Sequence, residues 1–283
     1  MLPKQIVKVP RHLQLEEIKV LPGQEWTDAS AVWHFLHLTS GAAYWLGNER
    51  TRSLIEGEMI VISPAVKGAV RASQIGEVTL HAFNFAPDLL CGLFTLAERH
   101  FFESGGGEFL HNVQFLPSTH PANRQFAALI ESGLKPYSLA QRIEVLSLIA
   151  AVFDQDMSRH HAPVSLGTTA LNRFHQLIAQ MPDSEIINHS PEQLARLCGC
   201  SPRHFNRLFR KHFGASARAR QTELRLLKAR QLLCDTGAKV LQVATDSGYR
   251  NLSLFNALFK KRFGMTPSVW RRRAVRTSNG SEE

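Results

Sequence analysis

Cysteine is scarce in this chain, at four in 283 residues. Four thiols cannot staple a chain of this length, so a disulfide framework is excluded as the source of its stability. Cys198-Gly199-Cys200 lacks the two-residue spacer usual in zinc sites, and no second Cys/His pair stands at a suitable distance. These thiols, with Cys91 and Cys234, therefore read as buried and reduced. Long apolar runs are missing too: none nears the roughly 20 residues that span a bilayer. Residues 1–10 lack the apolar core of a signal peptide, so the expected compartment is the cytoplasm, with no membrane role. Nothing resembles a nucleophile triad, and Gly105-Gly106-Gly107 has neither a following Lys nor the strand–helix context of a phosphate loop. The expectation is a non-enzyme with no catalytic residues and no cofactor.

Positive charge is what the chain has in excess, and it is unevenly spread. Lys and Arg number 33 against 24 Asp and Glu, a net charge of +9. From residue 171 onward there are 20 basic and 8 acidic residues, whereas the preceding part has 13 and 16. Such polarity fits a nucleic-acid module joined to a near-neutral sensing or assembly module. A highly soluble basic surface is the plainer alternative. The length suggests about two domains, each able to bury its own core.

Residues from about 5 to 112 read as β-rich. Short apolar or alternating runs at 32–38, 43–46, 59–63 and 77–85 are separated by turn-forming pieces such as Thr39-Ser40-Gly41, Gly47-Asn48 and Glu56-Gly57-Glu58. Many short strands at this spacing predict a sandwich or small barrel. The stretch from Leu54 to Pro64, with Glu56-Gly57-Glu58 before an apolar run, resembles a strand of cupin barrels. Metal-dependent cupins use a His-x-His pair, a Glu and a later His. Here His34 and His37 are three apart, so on a strand they point to opposite faces, and the next His is His81. No metal site is expected. Trp33, Phe35, Trp45, Phe83 and Phe85 either line a ligand cavity or fill the interior.

An apolar helix is expected at 88–100, a break at Gly105-Gly106-Gly107, and two further helices at 121–133 and 139–157. In the last, Leu139, Ile143, Leu146, Ala150 and Phe153 make one apolar stripe. It would either close over the β-domain or pair with its copy in another subunit. Residues 154–167, with His160-His161-Ala162-Pro163, have linker character. A helix at about 170–180 opens the basic region. Ser190-Pro191-Glu192-Gln193 and Ser201-Pro202 have the form of helix starts, the first with a capping box.

The last third holds one pattern twice. Leu194-Ala195-Arg196-Leu197-Cys198-Gly199, Phe205, Leu208-Phe209-Arg210-Lys211 and Phe213-Gly214 recur as Val243-Ala244-Thr245-Asp246-Ser247-Gly248, Phe255, Leu258-Phe259-Lys260-Lys261 and Phe263-Gly264. Each copy has a small residue for a helix crossing, a Gly for the turn, and an apolar stripe on its second helix. Such a bihelical unit presents that second helix to a DNA major groove. If Phe205, Leu208 and Phe209 face inward, the other face offers DNA Ser201, Arg203, His204, Asn206, Arg207 and Arg210. The second copy offers Arg250, Leu252, Ser253, Asn256 and Lys260. Arg suits guanine and Asn suits adenine, whereas the second set is better placed for phosphates. The first copy is thus expected to read bases and the second to set register. Between them, residues 219–233 read as one long helix, with Leu226, Ala229 and Leu233 inward.

Residues 171–273 resemble the DNA-binding domain of the AraC/XylS family of bacterial transcription regulators. The resemblance rests on Ala195 with Gly199, Phe205, Leu208-Phe209, Phe213-Gly214, Arg225 with Ala229, and Leu232-Leu233. It continues through Val243-Ala244, Gly248-Tyr249, Phe255, Phe259-Lys260, Phe263-Gly264, Thr266-Pro267 and Trp270-Arg271. It implies two helix-turn-helix subdomains and control of promoters, usually activation, with double-stranded promoter DNA and RNA polymerase as partners. It also implies an N-terminal domain that senses a small-molecule effector or dimerises, often a cupin-like barrel. Ala217 departs from a frequent Pro, and Ala257 replaces a basic or polar residue common in the family.

The fold class expected is α+β with two domains: a cupin-like β-barrel at 1–112, a helical dimerisation segment and linker at 113–167, an all-α DNA-binding domain at 168–275, and a disordered tail at 276–283. Helix-turn-helix units at about 190–213 and 240–263 would flank a linker helix at about 217–234. The function expected is a sequence-specific DNA-binding regulator, an activator acting as a homodimer. Two other classes are an architectural DNA-binding protein without an effector and a cupin-type enzyme fused to a DNA-binding module.

Overall fold

The computed structural model describes residues 12–28, 30–47, 51–104, 112–135, 138–160, 169–235 and 237–279. The expected break at Gly105-Gly106-Gly107, most of the linker, Asn48 and the start of the chain lie outside these residues. The chain divides into two compact units. One takes the described residues up to 86 together with 101–160, and the other takes 87–100 together with those from 169 onward.

The first unit is built on β1 (Glu16–Val20), β2 (Glu25–Trp26), β3 (Trp33–Ser40), β4 (Ala43–Gly47), β5 (Thr51–Leu54), β6 (Met59–Ile62), β7 (Gly68–Ala72), β8 (Val78–Phe85) and β9 (Gln114–Leu116). They form two antiparallel sheets, ordered β1-β8-β3-β6-β9 and β2-β7-β4-β5. The expected barrel is therefore corrected to two separate sheets that do not close on each other among the described residues. Their facing sides share a core that includes Leu36, Leu38, Trp45, Ile60, Ile62, Val70, Val78 and Leu80.

Period-two alternation decides where the aromatics go. Leu36 and Leu38 of β3 face the other sheet, so Trp33, Phe35 and His37 face the opposite way. There they meet helices α1 (Leu96–Glu103), α2 (Pro121–Glu131) and α3 (Leu139–His160). Trp33 packs on Phe153 at 5.1 Å between ring centroids, Phe85 on Phe102 at 5.0 Å, and Phe83 on Phe126 at 5.3 Å. Of the five aromatics expected to line or fill a barrel, only Trp45 lies between the sheets. The others are the floor beneath the helices.

α3 corrects the reading of its stripe. Leu139 is 65% exposed and Ile143 54%, Ala150 is exposed, and only Phe153 of that stripe is buried. The face that covers the sheet is Gln141, Val145, Leu148, Ile149, Val152 and Phe153. The helix has two apolar stripes, and periodicity cannot say which one finds the core.

His34 and His37 do point apart, as their spacing requires. His34 meets Trp26 of the second sheet and bonds Asn84 Oδ1 at 2.8 Å. His37, only 6% exposed, lies on Phe126 with its Nδ1 unpartnered. Burial first, and the neighbouring His81 second, hold its pKa below 6.5; burial also lowers that of His81, against the pull of Glu17. A depressed histidine pKa means the folded form refuses a proton that the unfolded chain accepts. Stability is then complete above about pH 6.5 and falls as pH drops below it. The unfolding midpoint of the full chain is expected to drop between pH 7.5 and 5.5, and His37→Leu to flatten that slope. Equal slopes for both proteins would remove His37 from the account.

The second unit is helical: α4 (Ala170–Gln180), α5 (Pro191–Leu197), α6 (Pro202–Phe213), α7 (Ala217–Asp235), α8 (Val240–Asp246), α9 (Leu252–Phe263) and α10 (Pro267–Asn279). Helix α10 occupies 276–279, where a disordered tail was expected; 280–283 lie outside the described residues. Residues 87–100 also correct an expectation. Instead of one helix they make a short 3-10 turn at Pro87–Leu89, a Gly92 turn with φ +95°, and the start of α1. The Gly92 N–H is held by Asp183 Oδ1 at 2.7 Å, which fixes the chain where a continuous helix would have run.

Candidate nucleic-acid interface

The second helix of each helix-turn-helix unit starts on a side-chain cap, whereas only the first unit's leading helix has one. Ser190 and Gln193 form the expected capping box: Gln193 N–H donates to Ser190 Oγ at 3.2 Å, and Ser190 N–H donates to Gln193 Oε1 at 2.6 Å. Ser201 caps α6 by accepting the His204 N–H at 3.3 Å, and Asn251 caps α9 by accepting the Leu254 N–H at 2.9 Å. Both second helices end on a left-handed glycine, Gly214 or Gly264.

The turns repeat bond for bond. Cys200 N–H donates to Ala195 O at 3.0 Å, and Tyr249 N–H to Ala244 O at 2.9 Å. Gly199 (φ +60°) and Gly248 (φ +84°) occupy the left-handed region that side chains rarely adopt. There is a second reason for glycine. A methyl at 199 would come 2.7 Å from the Arg173 guanidinium, and one at 248 would come 3.1 Å from Arg225. Arg173 of α4 donates to Cys198 O at 2.7 Å, and Arg225 of α7 donates to Ile187 O at 2.8 Å. So α4 stands to the first unit as α7 stands to the second, a third repeated helix. Sequence reasoning noted Arg225 only as a family match and missed Arg173; its signal was an Arg on the helix preceding each turn.

Phenylalanines fix which face of each second helix is hidden. Phe205, Phe209, Phe255 and Phe259 are all at most 1% exposed. Phe174 of α4 meets Phe205 and Phe209 at 5.9 and 6.2 Å, while Trp270 of α10 meets Phe259 at 6.2 Å. α7, about 28 Å long at 1.5 Å per residue, belongs to both cores. Leu224 and Leu227 enter the first, and Leu226, Ala229 and Leu233 enter the second. Gln221 ties it further by donating to Ile186 O and His189 O at 2.9 and 2.6 Å.

The outward faces carry the polar residues singled out from sequence. Ser201, Arg203, Arg207 and Arg210 are exposed, with His204 and Asn206 half-buried beside them. Arg203, Arg207 and Arg210 have no hydrogen bond or ion pair to any described residue, so their guanidiniums are available to an external partner. On the second unit Arg250, Leu252, Ser253 and Lys260 are exposed and Asn256 is half-buried. Leu254 (53% exposed) and Leu241 (61%) add apolar surface there that the expected set had omitted. Ala257 is exposed at the position where the first unit carries Arg207. The first face is thus rich in bidentate donors, and the second is poorer and more apolar.

All four cysteines are free; Cys198 is buried and its thiol is pushed up to about 11 by that burial, whereas Cys91 and Cys200 are only half-buried and Cys234 is exposed, against expectation. Among the described residues no group of three His, Cys, Asp or Glu is placed to hold a metal ion, and no helix is long and apolar enough to cross a membrane.

Two helix-turn-helix units on one shared helix, each with an outward basic face, define a DNA-binding protein. Residues 194–273 match the family model described as a helix-turn-helix domain. The chain is similar to the virulence regulon transcriptional activator VirF of Yersinia enterocolitica, 26% identical over 246 residues, covering 85% of this chain and 89% of VirF. It is also similar to the HTH-type transcriptional regulator GlxA of Rhizobium meliloti, 40% identical over 81 residues; this stretch spans 29% of the chain and a quarter of GlxA. Among solved structures, an AraC-type DNA-binding domain protein from Chromobacterium violaceum aligns with 37% of this chain and 91% of its own, at 27% identity and a TM-score of 0.32. Residues 194–273 thus carry a helix-turn-helix DNA-binding domain, and the chain is a DNA-binding regulator.

Proposed function

We propose that the chain binds promoter DNA as a homodimer and activates transcription, with its first unit reading bases and its second setting register. The observation that carries this reading is exposed Arg203, Arg207 and Arg210, unpaired among the described residues, on a helix whose opposite face is locked by Phe205 and Phe209. A rigid α7 supports it, because two helices on one face of a duplex must enter grooves about 34 Å apart. Binding rather than catalysis is the activity, in the cytoplasm, with RNA polymerase as the partner at the promoter. Selection of preferred sites from random DNA at a fixed salt concentration tests it, since phosphate contacts make affinity strongly salt-dependent. A defined motif supports sequence-specific regulation; equal recovery of all sequences would favour an architectural role.

Dimerisation is assigned to the outer stripe of α3. Leu139, Ile143, Leu146 and Ala150 recur at spacings of four, three and four, as in the seam of a helix pair, and Leu139 and Ile143 are more than half exposed. Ile143→Asp is expected to raise the dimer dissociation constant about tenfold or more, the value of losing one buried aliphatic side chain at an interface. Sedimentation of the full chain over a concentration series measures it, and an unchanged constant would move the interface elsewhere. The sensing role falls to the β-rich unit. A groove of about 650 Å³ bordered by Gln114, Leu116, His120 and Asp154 is its seat for a small molecule. Isothermal titration with candidate metabolites, followed by DNA affinity with and without them, tests sensing.

A further inference from the structure

We propose that residues 87–100 form a strap that positions the first recognition helix, making base reading by α6 depend on side chains outside both helix-turn-helix units. This rests on the reading of α6 given above. The strap is built into the helical unit at three levels. Leu96, 1% exposed, is part of the first helix-turn-helix core. Arg99 and Asp183, both fully buried, form an ion pair in which Arg99 Nε donates to Asp183 Oδ2. Arg99 Nη2 also reaches Leu90 O at 3.2 Å. Two backbone bonds then stitch the strap to the chain that follows α4: Leu96 N–H to Met181 O at 3.0 Å and Asp183 N–H to Phe94 O at 2.8 Å.

Its two ends touch α7, the helix shared by both units, and α6, which carries the base-reading side chains. At the start, Arg230 of α7 donates to Asp88 Oδ2 at 2.8 Å and to Asp88 O at 3.1 Å. At the finish, the His100 ring lies 5.3 Å from that of His212 and 4.9 Å from that of Phe213, the last two residues of α6. The turn and the Ser201 cap hold the N-terminal end of α6; at the other end His100 packs on His212 and Phe213 beside Phe174 and His175 of α4, whose rings lie 5.8 and 6.0 Å from that of His212. A tilt of that far end would displace Arg207 and Arg210, and bidentate bonds to a base edge are lost with small misalignments. A buried Arg–carboxylate pair with further hydrogen bonds suits this task, because any other geometry strands a charge in low dielectric. In sequence the strap follows β8 and leads into Phe101.

The test uses the full chain and three variants: His100→Ala, the paired Arg99→Met with Asp183→Leu, and Arg207→Ala as the reference. The paired change avoids leaving one buried charge alone, and His100→Ala removes only a ring at the end of α6. Thermal unfolding establishes that each is folded. Affinities for the selected site and for its single-base variants then give discrimination position by position. Expected is a loss of about three- to tenfold in discrimination at the base pairs that Arg207→Ala identifies, within the range of one base contact, with the remaining positions unchanged. Discrimination unchanged at those base pairs in both strap variants, or lost equally at every position, overturns the strap. If Arg207→Ala itself changes no position, the base-reading assignment fails instead, so the two failures are distinguishable.

Discussion

Arg207→Ala is expected to relax sequence preference at one or two base pairs, at a cost of about 1–3 kcal/mol in discrimination there. Arg207 is exposed, unpaired among the described residues, and on the same face of α6 as Arg203 and Arg210. Truncating it leaves the Phe205 and Phe209 packing intact, so the effect belongs to the DNA contact and not to folding. Lys260→Ala, on the end of α9, is the contrast. It should lower affinity about equally for all sequences and reduce the salt slope by about 1. Competition against single-base variants of the selected site separates the two patterns. A uniform loss for Arg207→Ala would make it a phosphate contact.

The second large effect is on stability. Phe209→Ala should cost about 3–5 kcal/mol, as for other buried phenylalanines truncated in a core. Its ring is 1% exposed and meets Phe213 at 4.4 Å, Phe205 at 5.7 Å and Phe174 at 6.2 Å. Phe259→Ala should be comparable, with Phe263 at 4.6 Å, Phe255 at 5.6 Å and Trp270 at 6.2 Å. Because α7 supplies leucines to both cores, loosening either should lower one shared transition of the helical unit. Two separate melting steps, with only the mutated half shifted, would show that α7 is a tether and not a common beam.

Much of this was legible because it is local. Ser190, Gln193, Ser201, Gly199 and Gly248 act through bonds that span at most five residues, and the doubled pattern Ala195/Ala244, Phe209/Phe259 marks the buried face of each recognition helix. A cap or a turn needs no distant partner to be recognised. α3 was not legible in the same way. Leu139, Ile143 and Leu146 obey helical spacing as well as Val145, Leu148 and Val152 do, and only the sheet beneath chose between them. The aromatics of β3 and β8 were ambiguous for a like reason. Alternation gives two faces, yet which one meets the second sheet and which meets the helices depends on the whole arrangement.

The sequence by itself determined the repeat, the caps and turns, the basic outer faces and the concentration of positive charge beyond residue 170. Only the tertiary structure decided that residues 87–100 leave the β-rich unit to pair Arg99 with Asp183, that Arg173 and Arg225 back the two turns, and that one stripe of α3 stays in water. The physical reason is range. Capping and turn preferences are set by bonds within a few residues, whereas the Arg99–Asp183 pair joins positions 84 apart and has no local signature until the chain has closed around it.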